Sequence, residues 1–187
     1  MTVSHTQLPP DGRSGDWAIE TFEVSKQEAD FARIRSMFRP LESVEAGTYK
    51  RLVRGRTIVM SNTQMELRTN RAIMHRAKGH ILINGLGLGV VLAYILGKPE
   101  VESVTVVEKS ADVIALTAPH FTDKRLNIVH ADAYEYKPEK GVRFAAVWHD
   151  IWDDICADNL TSMTRLKRKY GRRTDWQGCW SEYECQR

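Results

Sequence analysis

The sequence predicts an α/β fold, a Rossmann-like parallel sheet preceded by a small α+β segment. From His80 onward, four nearly continuous apolar runs recur about every 20–25 residues with helical segments between them, as in parallel sheets covered on both faces. A glycine-rich turn, Gly85–Gly89, follows the first run and precedes a helix. We therefore expect an N-terminal extension over residues 1–78 and a Rossmann-like domain over residues 79–187, with strand order 3-2-1-4.

The composition is that of a folded protein. The chain has 187 residues, 42% hydrophobic and 27% charged, with a formal net charge of +3, so it is not a polycation. Its cysteines, Cys156, Cys179 and Cys185, lack CxxC spacing; we expect no disulfide framework, no metal site and a cytoplasmic location. The start of the chain has no apolar core of a signal peptide, and no apolar run approaches the roughly 18 residues of a membrane span.

The N-terminal extension opens with a flexible or extended lead-in over residues 1–16, rich in proline and glycine. Trp17–Val24 alternates apolar and polar residues and predicts a strand. Ser25 and Glu28 have the spacing of a capping box, which predicts the start of a helix. The apolar positions of that helix, which should stop before Pro40, are Phe31, Ile34, Met37 and Phe38.

A β-hairpin and a second helix complete the extension. TYKRLV and RTIVMS flank Arg54-Gly55, where glycine can take the positive φ of a turn. Residues 63–77 predict one helix, with Met65, Ile73 and Met74 as its apolar positions and Arg68, Arg71 and Arg76 as its solvated ones. We expect Lys78-Gly79 to close that helix, with the glycine as C-cap.

The second part alternates strands and helices. The predicted strands are residues 81–84, 104–107, 126–129 and 144–148, and the predicted helices are residues 90–96, 110–118 and 159–170. The tail after residue 170 has two tryptophans but no strand-like run, so the sheet should lack its last strands. The open edge of the fourth strand then needs a cover, either the Trp176/Trp180 tail or a second copy in a homo-oligomer.

The glycine turn predicts an adenosine-type ligand. In GxGxG the first glycine makes the turn, the second lets the backbone approach the ligand, and the third packs helix against strand. Glu108 ends the second strand, 23 residues after Gly85, where a carboxylate can accept ribose hydroxyl hydrogen bonds. Asp132 follows the third strand, where it can accept from an adenine amino group. Taken singly, each acid could be a solvated residue at a strand end.

Residues 80–155 resemble the N-terminal half of class I S-adenosylmethionine-dependent methyltransferases, which use GxGxG rather than the GxGxxG of dinucleotide-binding proteins. The likeness is nearest to spermidine synthases: LINGLGLG is similar to their LIIGGGDG-type turn, and Ile83 stands where most methyltransferases have an acid. That family also has a small β-hairpin domain before its Rossmann domain. The resemblance implies S-adenosylmethionine, or its decarboxylated form, as cofactor. It places Glu108 on the ribose, Asp132 with Ala133 on the adenine, and the cofactor loop at Gly85, Gly87 and Gly89.

The resemblance also implies a base at the end of the fourth strand. Asp150 and Asp153 match the spacing of a DxxDP-type segment whose first acid acts on the amine acceptor, although Asp154 replaces the proline. Asp150 is therefore the first catalytic candidate and His149 the second. The alternatives are a structural cap or cofactor contact for Asp150, and a satisfied, partly buried histidine for His149.

Two departures limit what the resemblance implies. Met60 and the stretch 69–75 do not supply the glutamine and the tyrosine–histidine pair of spermidine synthases, and the C-terminal strands are missing. The leading prediction is therefore methyl transfer to an unidentified small-molecule acceptor. Two alternatives remain, a non-catalytic S-adenosylmethionine-binding or assembly module and a spermidine synthase-like aminopropyltransferase.

A basic cluster crowds the end of the last predicted helix. Its members are Arg165, Lys167, Arg168, Lys169, Arg172 and Arg173. The cluster could bind nucleic-acid phosphates, but cations also favour a helix C-terminus, and we expect a solvated face. The tail aromatics Trp176, Trp180 and Tyr183 could stack bases but fit packing anchors better. Trp148 and Trp152 flank Asp150 and could wall a pocket or pack in the core.

Overall fold

The computed structural model describes residues 7–36 and 44–187, which form two β-sheets flanked by helices. The strands are β1 (Gly12–Ser14), β2 (Trp17–Val24), β3 (Gly47–Arg54), β4 (Thr57–Ser61), β5 (Gly79–Asn84), β6 (Val101–Glu108), β7 (Leu126–His130), β8 (Phe144–His149) and β9 (Thr174–Cys179). The helices are α1 (Lys26–Ser36), α2 (Gln64–Thr69), α3 (Arg71–Arg76), α4 (Val90–Leu96), α5 (Ala111–Thr117), α6 (Asn159–Tyr170) and α7 (Glu182–Cys185). The predicted α/β fold is confirmed; the boundary at residues 78 and 79 stays a prediction.

The N-terminal sheet is antiparallel, in the order β1-β2-β3-β4. The predicted strand Trp17–Val24 and the hairpin around Gly55, with φ +60°, are confirmed. Of the two alternatives for the lead-in, flexible or extended, the extended one is correct for Gly12–Ser14, which pairs with β2. Asp11 supports this pairing, because its carboxylate accepts hydrogen bonds from the backbone of Thr21 at 2.9 Å and from Lys50 Nζ at 2.7 Å. A strand of three residues is too short to show an apolar pattern in the sequence. Its conformation is determined by its pairing with β2.

The capping box at the start of α1 is confirmed. The backbone N–H of Glu28 donates to Ser25 Oγ at 3.3 Å, and the backbone N–H of Ser25 donates to Glu28 Oε2 at 2.8 Å. The Ser25 hydroxyl and backbone hold the pKa of Glu28 below its usual value. The last predicted positions of this helix, Met37, Phe38 and Pro40, lie outside the described residues.

The single helix predicted over residues 63–77 is wrong, because buried Asn70 divides it into α2 and α3. The Asn70 side-chain amide donates to the backbone carbonyl of Glu66 at 3.0 Å, and its oxygen accepts from Trp148 Nε1 at 2.8 Å. Such bonds compete with regular helix formation. The predicted glycine C-cap is also wrong: α3 ends at Ala77, and Gly79 opens β5 with φ +62°.

The five-stranded sheet is parallel, in the order β7-β6-β5-β8-β9. Its central strands are buried on both faces, as their continuous apolar sequences predict. Ile81 packs on one face in a cluster with Leu92 and Ile95 of α4, and Leu82 packs on the other with Leu166 and Tyr170 of α6. The four predicted strands and their order are confirmed, each within three residues of its predicted bounds.

The prediction that the sheet ends at the fourth strand is wrong. The tail forms β9, which pairs in parallel with β8, and Trp176 stacks on Trp148 with ring centroids 6.1 Å apart. A Cβ on Gly178 would lie 2.7 Å from the Trp148 ring, so this strand carries a glycine where the indole needs room. The tail itself covers the β8 edge. A second copy is therefore not needed to cover this edge, and a homo-oligomer stays a prediction. Within residues 7–36 and 44–187, no helix has the length and apolar character to cross a membrane.

Candidate functional site

A cavity of about 450 Å³ lies at the carboxyl ends of β5, β6 and β8. Both sheets contribute to its wall, since Leu52, Val59 and Met60 come from the N-terminal hairpin. Six of the predicted site residues line it: Gly85, Gly87, Glu108, Asp132, Ala133 and Asp150. Residues separated by up to 65 positions in the chain are thus brought to one place, as expected at the carboxyl edge of an open α/β sheet.

The glycine turn is crowded enough to require glycine. A Cβ on Gly85, at φ +103°, would lie 1.9 Å from the backbone carbonyl oxygen of Asp150. Gly89, at φ +75°, is the N-cap of α4, and a Cβ there would lie 2.5 Å from the Phe121 ring. The first glycine therefore lets the turn pass the end of β8. The third lets the start of α4 pack against the Phe121 ring.

Met60 covers the middle of this turn. Its thioether sulfur accepts a hydrogen bond from the backbone N–H of Leu88 at 3.2 Å, and a Cβ on Gly87 would lie 2.2 Å from that sulfur. The second glycine is therefore open to close approach, and Met60 is what approaches it here. A ligand that reaches the Gly87 backbone displaces this flexible side chain.

Glu108 holds the turn through its carboxylate. One oxygen accepts from the backbone N–H of Leu86 and the other from that of Ser110, both at 2.8 Å. Ser110 is the N-cap of α5, so Glu108 connects the turn after β5 to the helix after β6. Each carboxylate oxygen has a second acceptor site, which leaves capacity for two ribose hydroxyls.

Asp132 and Ala133 lie just after β7. The Asp132 carboxylate accepts from Lys109 Nζ at 2.9 Å and from the backbone N–H of Tyr134 at 2.8 Å. The Lys109 ammonium, more than the other neighbours, holds the pKa of Asp132 below its usual value. Ala133 is buried, and its carbonyl accepts from the Tyr170 hydroxyl at 2.8 Å.

Asp150 lines the cavity directly after β8. Its backbone N–H donates to the carbonyl of Asn84 at 2.8 Å, which fixes it beside the glycine turn. Burial, together with the nearby Glu108 carboxylate, raises its pKa to about 7. Its carboxyl group has no hydrogen-bond partner among residues 7–36 and 44–187. A carboxylate with these properties can take up a proton near neutral pH.

Glu66 is a cavity residue that sequence reasoning missed. It projects from α2, is 2% exposed, and accepts a hydrogen bond from Asn70 Nδ2 at 2.6 Å. Burial and the charge of Asp150 raise its pKa well above the usual range, although the Asn70 amide opposes this shift. Nothing in the local sequence distinguishes Glu66 from a solvated helix residue. The break at Asn70, which marks this segment as unusual, is visible only in the structure.

His149 does not line the cavity. It is buried between β5 and β9, with Nδ1 2.8 Å from Asn84 Nδ2 and Nε2 3.3 Å from Gln177 Oε1. Both contacts are satisfied when the Asn84 amide donates to Nδ1 and the neutral ring donates from Nε2. Burial lowers the His149 pKa to about 4. This geometry matches the satisfied, buried histidine of the alternative interpretation.

Aromatic side chains form the rest of the wall. Trp17, Trp152 and Trp180 line the cavity, whereas Trp148 is in the core. The Trp152 indole donates to Ser162 at 2.8 Å and the Trp180 indole to Thr69 at 2.9 Å, so both rings are held in place. At the cavity rim, Arg54 forms an ion pair with Asp153 at 2.5 Å and lies over the Trp17 ring.

The basic cluster on α6 is largely engaged within the chain. Lys167 pairs with Glu182 at 2.6 Å, Arg165 lies over the Tyr134 ring, and Lys169 donates to the Tyr134 carbonyl. Arg173 donates to the carbonyl of Glu139 at 3.0 Å. Nucleic-acid binding stays a prediction, with fewer cations free to contact phosphates.

The fold is similar to that of solved structures. Spermidine synthase from Thermotoga maritima matches with a TM-score of 0.52 at 18% identity, over 89% of this chain and 52% of that one. An S-adenosylmethionine-dependent methyltransferase from Mesorhizobium loti matches with a TM-score of 0.44 at 17% identity, over 58% of this chain and 47% of that one. The chain thus spans about half the length of each. No family model matches the sequence, and no curated protein matches it. The likeness shows a Rossmann-like α/β fold similar to that of the spermidine synthase.

Proposed function

We propose that this protein binds S-adenosylmethionine in the cavity and transfers its methyl group to a small-molecule acceptor. The observation that carries the proposal is the meeting of Gly85, Glu108, Asp132 and Asp150 around one cavity. A volume of about 450 Å³ suits a ligand of this size.

The cavity residues fit each part of such a ligand. Glu108 has free acceptor capacity for ribose hydroxyls, and Asp132 can accept from the adenine amino group beside Ala133. The absence of a side chain at Gly87 lets the backbone approach the ligand once Met60 moves. S-adenosylmethionine would supply an electrophilic methyl group on a positively charged sulfur.

Asp150 is the proposed base. With a pKa of about 7, a large fraction of its carboxyl is ionised at neutral pH and can accept a proton from the acceptor nucleophile. The backbone of Asn84 holds Asp150 beside the turn, where it lines the cavity. Trp152 and Trp180 exclude water from one wall, so positioning is the main contribution of the site.

Isothermal titration calorimetry with S-adenosylmethionine and S-adenosylhomocysteine tests the binding step. Both should bind the wild-type protein, and the Asp150→Asn variant should retain binding of S-adenosylhomocysteine while losing methyl transfer in a screen of acceptors. Absence of binding by either compound would overturn the proposal. Binding with no transfer to any acceptor would favour a non-catalytic cofactor-binding or assembly module.

Aminopropyl transfer is the second candidate. It is favoured by the likeness to a spermidine synthase over 89% of this chain. Decarboxylated S-adenosylmethionine should then bind more tightly than S-adenosylmethionine itself. A preference for the carboxylated compound would favour methyl transfer.

A further inference from the structure

We infer that Glu66 is a specificity-determining residue, which forms with Asp150 an anionic subsite that selects a positively charged group of the bound ligand. The inference deepens the proposed function and rests on it. The two carboxyl groups come from different parts of the chain, Glu66 from α2 and Asp150 from the end of β8. Their meeting is therefore a product of the tertiary structure.

Glu66 keeps one carboxyl oxygen available to a ligand although its side chain is buried. The residue is 2% exposed and lines the cavity. Oε1 accepts from Asn70 Nδ2 at 2.6 Å, which leaves Oε2 as an acceptor for a group in the cavity. Burial of a carboxyl group costs free energy, and a ligand that donates to it recovers part of that cost.

The carboxyl group of Glu66 is held in place rather than free to turn away. Asn70 donates to both the side chain and the backbone carbonyl of Glu66, at 2.6 and 3.0 Å. The indole of Trp148 donates to Asn70 Oδ1 at 2.8 Å and so determines which way the amide points. Such a supported position is typical of a binding residue.

The subsite has no cation of its own among the described residues. The two cations that line the cavity are engaged elsewhere, since Arg54 pairs with Asp153 and Lys109 pairs with Asp132. Asp150 interacts electrostatically with both Glu66 and Glu108. Burial and repulsion from the neighbouring carboxylate raise the pKa of Glu66 and of Asp150. A cationic ligand favours the ionised carboxylates, so its binding should release protons.

Aromatic faces support the same charge preference. Trp17, Trp152 and Trp180 line the cavity with Glu66, and indole rings attract cations. Two sources fit the chemistry: the sulfonium of S-adenosylmethionine and the ammonium of an amine acceptor. The experiment below separates them.

Calorimetric titrations of the wild type and Glu66→Gln with two matched pairs test the inference. One pair is S-adenosylmethionine and S-adenosylhomocysteine, and the other is 1,4-diaminobutane and 1,4-butanediol, the latter titrated onto the S-adenosylhomocysteine complex. In one pair, Glu66→Gln should weaken the binding of the cationic compound by about tenfold or more and leave the affinity for the neutral compound unchanged. The control Glu23→Gln changes an exposed glutamate on β2 and should alter neither.

The pair that responds identifies the source of the charge. Repeating the titration in buffers of different ionisation enthalpy should show proton release with the cationic compound, and less release in Glu66→Gln. Glutamine keeps an acceptor for Asn70, and the melting temperature checks that the variant folds; Asp150→Asn, which removes the other acid, gives the same test. Equal losses for both members of each pair, or no change, overturn the inference. Failure of the wild type to bind either adenosyl compound instead overturns the proposed function.

Discussion

The Glu108 carboxylate accepts a hydrogen bond of 2.8 Å from the backbone N–H of Leu86, in the middle of the glycine turn. Its other oxygen accepts from the backbone N–H of Ser110 at the same distance. The acid that the sequence assigns to a ribose therefore also shapes the turn that would hold the cofactor. The geometry of the turn and the proposed ligand site thus depend on one side chain.

Replacement of Glu108 by alanine should lower both stability and affinity. Two hydrogen bonds to a charged acceptor are lost, so the free energy of unfolding should fall by about 1.5–3 kcal/mol, and S-adenosylmethionine should bind at least tenfold more weakly. Urea denaturation and calorimetry measure the two effects. Glu102→Ala, which removes an exposed acid from the same strand, should change stability by no more than about 0.5 kcal/mol. Unchanged affinity in Glu108→Ala would mean that the ligand binds elsewhere.

Replacement of Gly85 by alanine should be severely destabilising. The added Cβ would meet the backbone oxygen of Asp150 at 1.9 Å, and a φ of +103° is strained for any side chain, so we expect a loss of about 3 kcal/mol or more. Gly55→Ala is the matched control: φ is +60°, and nothing lies within 4 Å of its Cβ. That variant should lose only about 1 kcal/mol. Equal losses in thermal denaturation would show that the contact with Asp150 is unimportant.

The pH dependence of stability should change when Asp150 is replaced by asparagine. The pKa of Asp150 rises from a usual value near 3.8 to about 7 in the folded state. Its contribution is therefore fully present below about pH 4 and is lost as the pH rises towards 7. Asp150→Asn cannot titrate, so its free energy of unfolding relative to the wild type should increase over this range.

The titration of His149 changes stability with pH in the opposite direction. The variant must therefore be compared with the wild type at each pH. Its pKa is lowered to about 4, so its contribution is present above about pH 6.5 and is lost as the pH falls towards 4. The two effects partly cancel in the wild type, but the His149 contribution cancels in the difference between variant and wild type. Urea denaturation at several pH values gives this difference; a constant value would contradict the raised pKa of Asp150.

A chain that ends at residue 173 should associate. It lacks β9, which leaves the N–H and C=O groups along β8 unpaired and exposes Trp148 beside them. Size-exclusion chromatography with light scattering should show oligomers or aggregates. A chain that ends at residue 181 keeps β9 and should stay closer to the full-length elution. Identical behaviour of the two truncations would show that β9 is not needed to protect the edge.

Local sequence determined most of the second sheet. Continuous apolar runs predicted β5 to β8, and the spacing of Gly85, Glu108 and Asp132 relative to those runs predicted that all three would meet. Such signals are local because strand burial and glycine conformation depend on a few adjacent residues. The capping box at Ser25 and the hairpin at Gly55 were predicted for the same reason.

Only the tertiary structure decided the remainder. Strand β9 forms because the edge of β8 and the ring of Trp148 are there to pair with it, and Gly12–Ser14 is a strand because β2 is its neighbour. Asn70 breaks a helix because its side-chain amide forms hydrogen bonds with two residues. One is Glu66, which is near in the sequence, and the other is Trp148, which is distant. Glu66, held by Asn70, lines the same cavity as Asp150. Hydrogen bonds and charge interactions between distant segments leave no recognisable pattern in the local sequence. The sequence by itself therefore determined the glycine turn and its acids, whereas folding determined the anionic subsite.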